Sequence, residues 1–159
     1  MRILTLAAML GILGPAVSGL TAAPISRNVA DIGPEPCTLV TQSDVEAAMG
    51  AGATITRSHN PRLGKDECRL KAPAGSAIGE IVIVVIPADS WDAVKKAMID
   101  TGGKDVRGLG DDAFVLPGLS YNVRKGNKYV QVFTGGTDDT AANEKARRYL
   151  AEKASTRLH

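Results

Sequence analysis

The run Ile81-Val82-Ile83-Val84-Val85-Ile86, closed by Pro87, constrains this chain more than any other stretch. Six β-branched residues in succession restrict χ1 and fit a pleated backbone better than a helix. A strand points alternate side chains to opposite faces, so an unbroken apolar run requires cover on both. Burying six such side chains is worth about 10 kcal/mol at most, before chain entropy is counted. The run is expected to be a central strand around which the other elements are arranged.

Composition sets what surrounds it. With two Phe, three Tyr and one Trp in 159 residues, the core must be filled by Val, Ile, Leu, Ala and Met. Large flat surfaces for stacking bases or sugars are not expected. At the N-terminus Arg2 precedes an apolar run, Ile3 to Leu13, then Gly14-Pro15 and small residues. Residues 1–23 therefore read as a secretory signal, with cleavage favoured after Ser18 or Ala22. A single membrane anchor is the alternative, but the run falls short of the roughly 20 residues a span needs. No later stretch is long enough either, so the mature form is expected to be soluble, without a transmembrane segment, and periplasmic or secreted. Loss of Arg2 from the 19 Lys and Arg leaves 18 cations against 17 acids, a net charge of +1. Nothing in that balance calls for nucleic acid as a partner.

Cys37 and Cys68 both lie in the exported part. In an oxidising compartment an even pair reads as a disulfide. Closing a loop of about 30 residues contributes roughly 3–4 kcal/mol in the chain-entropy model. A redox or metal pair is the alternative, and a metal would need further ligands, with only His59 and His159 as histidines.

Residues 24–36 read as an extended leader and 37–159 as one domain. Ser43 with Glu46 three residues on forms a capping-box pattern for a short helix ending at Gly50. Alternation predicts strands over 53–57 and 67–71, with Ser58 to Pro61 and Gly64-Lys65-Asp66 as turn chemistry between them. A second helix follows Asp89 or Ser90, with Trp91, Val94 and Met98 inward and Lys95 and Lys96 toward solvent. Strands are expected over 113–116, 119–123 and 129–133, with a hairpin at Lys125-Gly126-Asn127. A last helix over 141–157 places Ala142, Ala146, Tyr149 and Leu150 in its buried stripe, with Leu158 a candidate to extend it. Asp139 suits its N-terminal end, and Arg147, Arg148 and Lys153 lie toward the negative end of its dipole. The expected fold is α+β, an antiparallel sheet of five to six strands in the order α-βββ-α-βββ-α, with helices packed on it.

Several of these residues resemble a known pattern. Cys37-Thr38-Leu39-Val40-Thr41, with Asp44-Val45-Glu46 and Gly50, is similar to the opening of an uncharacterised domain of bacterial secreted proteins and lipoproteins. Cys68 falls where that family's second cysteine often sits. Val106-Arg107-Gly108-Leu109-Gly110-Asp111-Asp112-Ala113 resembles its GLGD-x-A signature, and Val123 with Gly126 its later hairpin. The resemblance spans about Cys37 to Leu158 and implies an extracytoplasmic α+β domain with no assigned activity. No cysteine precedes Cys37 at the signal cleavage site, which argues against lipid anchoring and for free release.

Few residues suggest chemistry. Gly108-Leu109-Gly110-Asp111-Asp112-Ala113 matches G-x-G-x-x-A, but a dinucleotide fingerprint needs a helix to open there, and Ala113 to Leu116 reads as strand. A turn that uses Gly108, Gly110 and Asp111 is the better account, and no cofactor is expected. Ser58 and His59 are adjacent in an extended segment and point apart, so His59 reads as a surface residue. Asp111-Asp112 and Asp138-Asp139 lack calcium-loop spacing and read as loop solvation and helix capping. Arg124, Lys125 and Lys128 form a basic hairpin tip suited to an anionic membrane surface or an acidic partner protein, or to guarding against edge pairing. Trp91 reads as core. The reading that follows is a non-catalytic exported domain binding a protein or small ligand in the cell envelope. A hydrolase using Asp111, Asp112 or His59 is the alternative.

Overall fold

The computed structural model describes residues 34–136 and 140–159. The signal segment, leader residues 24–33 and the Asp138-Asp139 pair lie outside them. In chain order the elements are α1 (Gln42–Met49), β1 (Thr54–Asn60), β2 (Lys65–Lys71), β3 (Ile81–Pro87), α2 (Trp91–Asp100), β4 (Lys104–Asp105), β5 (Asp112–Leu116), β6 (Ser120–Lys125), β7 (Lys128–Thr134) and α3 (Ala141–Arg157). Short 3-10 turns at Pro36–Leu39 and Ala88–Ser90 lead into α1 and α2. The strands form one sheet of seven, ordered β1-β2-β3-β7-β6-β5-β4, with every neighbouring pair antiparallel. The fold is α+β.

The β-branched run is β3, an interior strand between β2 and β7. Ile81 to Val84 are buried, and Val85 and Ile86 partly so. On one face Ile81 and Ile83 join Cys68, Leu70, Val130, Val132, Tyr121 and Val123 beneath α1 and α3. On the other, Trp91, Phe114 and Tyr129 form a separate aromatic cluster with Val94 and Met98 of α2 packed against it. Cys37 and Cys68 are bonded, which ties the entry turn to β2.

Five expectations need correction. The sheet has seven strands, not five or six, because Lys104–Asp105 adds a two-residue edge to β5. Two charged residues after Gly102-Gly103 carry no alternation that would announce a strand. Helix α1 is capped by Thr41 rather than Ser43. The Thr41 hydroxyl accepts from the Asp44 amide, and the Asp44 carboxylate accepts from the Thr41 amide. That box begins two residues earlier than the Ser43–Glu46 pattern. Strand β1 runs on to Asn60 and β2 already begins at Lys65, so Ser58, His59, Lys65 and Asp66 are paired strand residues and only Pro61 to Gly64 turn the chain. Leu119 sits in the β5–β6 turn, 53% exposed, and the strand begins at Ser120.

The fifth concerns Arg147, expected toward the negative end of the α3 dipole; it lies in the N-terminal half of the helix and is fully buried. It lies four residues before Ala151 on the inward stripe of α3, which also carries Ala146, Leu150 and Ala154. Its guanidinium donates to the Gly118 carbonyl at 3.2 Å and to the Thr134 hydroxyl, and pairs with Glu144 at 2.8 Å. A buried cation is tolerated only with such satisfaction. Arg147 thereby ties α3 to the β5–β6 turn and to the end of β7.

Candidate functional site

The residues singled out for chemistry separate into two places. Gly108 and Gly110 have φ of +78° and +56°, the left-handed region that favours glycine. A Cβ on Gly110 would fall 2.3 Å from the Arg124 carbonyl oxygen and 2.6 Å from Val123 Cγ1. The loop is thus pressed against the back of β6. Asp111 then reaches the hairpin tip, accepting from the Gly126 amide at 2.8 Å and from Lys125 Nζ at 3.2 Å. These two contacts, the amide first, hold its carboxyl below the usual range.

Asp112 points the other way, into the aromatic cluster. It accepts from Trp91 Nε1 at 2.8 Å and Lys95 Nζ at 2.7 Å, and Lys95 also bridges to Asp105 at 2.6 Å. Burial pushes the Asp112 carboxyl up, but the Lys95 and Trp91 hydrogen bonds outweigh it and leave the net shift downward. Lys95 is therefore partly buried in an ion-pair bridge, not simply in solvent. The basic tip is similarly occupied. Lys125 pairs with Asp111, Arg124 lies 5.8 Å over the Trp91 ring and 3.9 Å from Asp92, and Lys128 donates to the His159 carbonyl.

His59 sits far from these. It is on β1, five strand positions from β5, about 24 Å at roughly 4.8 Å per strand. The sheet does not bring His59, Asp111 and Asp112 into one set. Ser58, next to His59, faces the opposite side of the sheet and accepts from Arg69 Nε at 3.1 Å.

Around His59 lies the more open arrangement. The antiparallel register sets His59 across from Asp66, and Nδ1 stands 2.9 Å from Asp66 Oδ1. An ionised carboxylate only accepts, so Nδ1 carries the proton and Nε2 is left with the lone pair in neutral imidazole. Arg57 bonds the second oxygen of Asp66 at 3.0 Å and lies 3.3 Å from Glu35. The hydrogen bonds from His59 and Arg57 hold the Asp66 carboxyl below its ordinary range. Pro34, Pro36, Val85 and Pro87 provide apolar walls, and the whole encloses a cleft of about 310 Å³. The Cys37–Cys68 bond sits behind it, one residue from Pro36 and two from Asp66. Arg57, Asp66, Glu35 and the prolines were not singled out by sequence. The signal that could have found them was the β1–β2 register, readable once β1 is carried through His59.

Among the described residues no group of three His, Cys, Asp or Glu side chains could hold a metal ion. No helix among them is long and apolar enough to cross a membrane. No protein-family model matches the chain, and no curated protein matches it. Among solved structures, the chain is similar to a GTP binding regulator from Thermotoga maritima at a TM-score of 0.36 and 10% identity. That match covers 76% of this chain and 92% of the other.

Proposed function

We propose that this chain is an exported, non-catalytic binding domain of the bacterial cell envelope, of the kind its Cys37 and GLGD-type motifs resemble, and that it receives a small ligand in the β1–β2 cleft. The observation that carries this reading is the cleft itself. It has apolar walls, a fixed His59–Asp66–Arg57 set and an imidazole nitrogen left open to a guest. At about 310 Å³ it stands at the small end of the roughly 300–1,000 Å³ range of ligand pockets. The disulfide supports export, since such bonds persist where thiols are not kept reduced.

Two measurements test it. Fractionation of the native host, with non-reducing mass spectrometry, should find the chain outside the cytoplasm with residues 37 and 68 linked. Thermal-shift screening against an envelope metabolite panel should give a stabilising ligand whose effect disappears in His59→Gln. Cytoplasmic protein with free thiols, or no ligand-dependent shift across the panel, would sink the proposal.

A second reading, hydrolysis with His59 as general base, draws on Asp66 fixing the imidazole tautomer. Esterase or phosphatase turnover abolished by His59→Gln would promote it over the first.

A further inference from the structure

Beside the cleft, with which it shares Arg57, His59 and Lys65, the β1–β2 hairpin presents the open backbone edge of β1. Strand β1 is one edge of the sheet and seven residues long, whereas β4, the other edge, has two. Pairing with β2 is continuous from Thr54 to Asn60, with neither proline nor bulge, and no described strand lies on its outer side. In an antiparallel edge strand every second residue turns its N–H and C=O outward, and these groups are a template for another strand.

Charge tells what kind of strand. Between Thr54 and Lys71 there are five Lys and Arg against two Asp and Glu, a net charge of +3. Both carboxylates are committed, Asp66 to Arg57 and Glu67 to Arg69. Arg62, Lys65 and Lys71 have no carboxylate within ion-pair distance among the described residues. Leu63, at the turn, is 59% exposed. An incoming chain thus meets open backbone groups, unneutralised cations and an exposed apolar side chain on one hairpin.

We propose that β1 is a docking edge for an acidic, extended segment of a partner protein, which adds to the sheet as an eighth strand beside Thr54–Asn60. The backbone ladder supplies the extended geometry, and Arg62, Lys65 and Lys71 select acidic side chains over basic ones. A lipid headgroup would satisfy the cations but not the ladder. This inference does not depend on a small ligand occupying the cleft.

The test uses the full chain, purified with its disulfide intact, and a synthetic ten-residue peptide alternating Glu with Val. Titration should slow amide exchange in β1 while leaving β5 unchanged. Affinity should fall at least tenfold when Lys replaces Glu, and at least tenfold when alternate peptide nitrogens are methylated, which removes the ladder without altering charge. The triple variant Arg62→Ala, Lys65→Ala, Lys71→Ala should weaken binding by a similar factor. Equal binding of the methylated peptide would overturn strand addition, and equal binding of the Lys peptide would overturn the acidic preference. Binding to phosphatidylglycerol vesicles with none to the peptide would assign the patch to membranes and reject the proposal. Dimerisation through β1 without peptide binding would reject it in favour of a second copy.

Discussion

Two hairpins of this sheet look alike in sequence and do different work. The β6–β7 hairpin and the β1–β2 hairpin are both antiparallel, six to seven residues a strand, with cations around the turn. The first lies inside the sheet, with the Gly108–Asp111 loop pressed on one side and Trp91 under Arg124 on the other. Arg124, Lys125 and Lys128 each have an internal contact. The second lies at the edge with its turn exposed, and among the described residues Arg62, Lys65 and Lys71 have no carboxylate partner, Lys65 being half-buried at the cleft. Position in the sheet, more than composition, decides whether a charge is structural or available. The tip that reads as an interaction surface is braced from within, and the hairpin that reads as ordinary turn chemistry is the open one.

The largest expected effect concerns how the edge hairpin is held. Cys37→Ala with Cys68→Ala removes a link between residues 31 apart and should lower unfolding free energy by about 3–4 kcal/mol in urea titration. A loss under about 1 kcal/mol would mean that β2 is held mainly by its neighbours. Next, Gly110→Ala forces a Cβ into the Arg124 carbonyl at positive φ and should cost about 3 kcal/mol. Gly64→Ala, also at positive φ but with no atom within 4 Å, should cost only about 1 kcal/mol. Equal losses at the two glycines would break the contrast between braced and open turns.

Asp112→Ala leaves the buried Trp91 N–H without its acceptor and should cost about 1–3 kcal/mol. The pH dependence has a definite sign. The folded Asp112 carboxyl lies below its ordinary 3.8, so its contribution is complete above that value and is lost as pH falls through the folded one. Urea midpoints from neutral to acid pH should therefore fall less steeply in Asp112→Asn than in the parent chain. Smallest of all, His59→Gln should leave the unfolding midpoint unchanged within error, because its partner pair is solvent-exposed and screened. A clear drop there would make the His59–Asp66 pair structural, like Asp111 and Asp112.

Much of this architecture was legible in the chain. The β-branched run, the long last helix and the Gly126-Asn127 turn are local signals, and each is where its residues place it. What escaped depends on contacts distant in sequence. Arg147 looks like any basic residue within a helix, and its burial is decided by Gly118 and Thr134. Lys104–Asp105 is a strand only because β5 is there to receive it. For the candidate site, His59 reads from the sequence as a surface residue beside a turn. Its partner Asp66 becomes visible only when the strand continues and the register pairs the two.

The single tryptophan sets what spectroscopy can report. Trp91 is 1% exposed, with Phe114 and Tyr129 rings 5.3 and 5.1 Å from it and its indole N–H held by Asp112. Tryptophan emission, excited selectively over the tyrosines, is therefore a gauge of the α2 side rather than of the disulfide-linked edge. A denaturation curve followed by emission will coincide with one followed by circular dichroism only if both sides come apart together. A gap between the two curves would be the optical signature of an edge that loosens first.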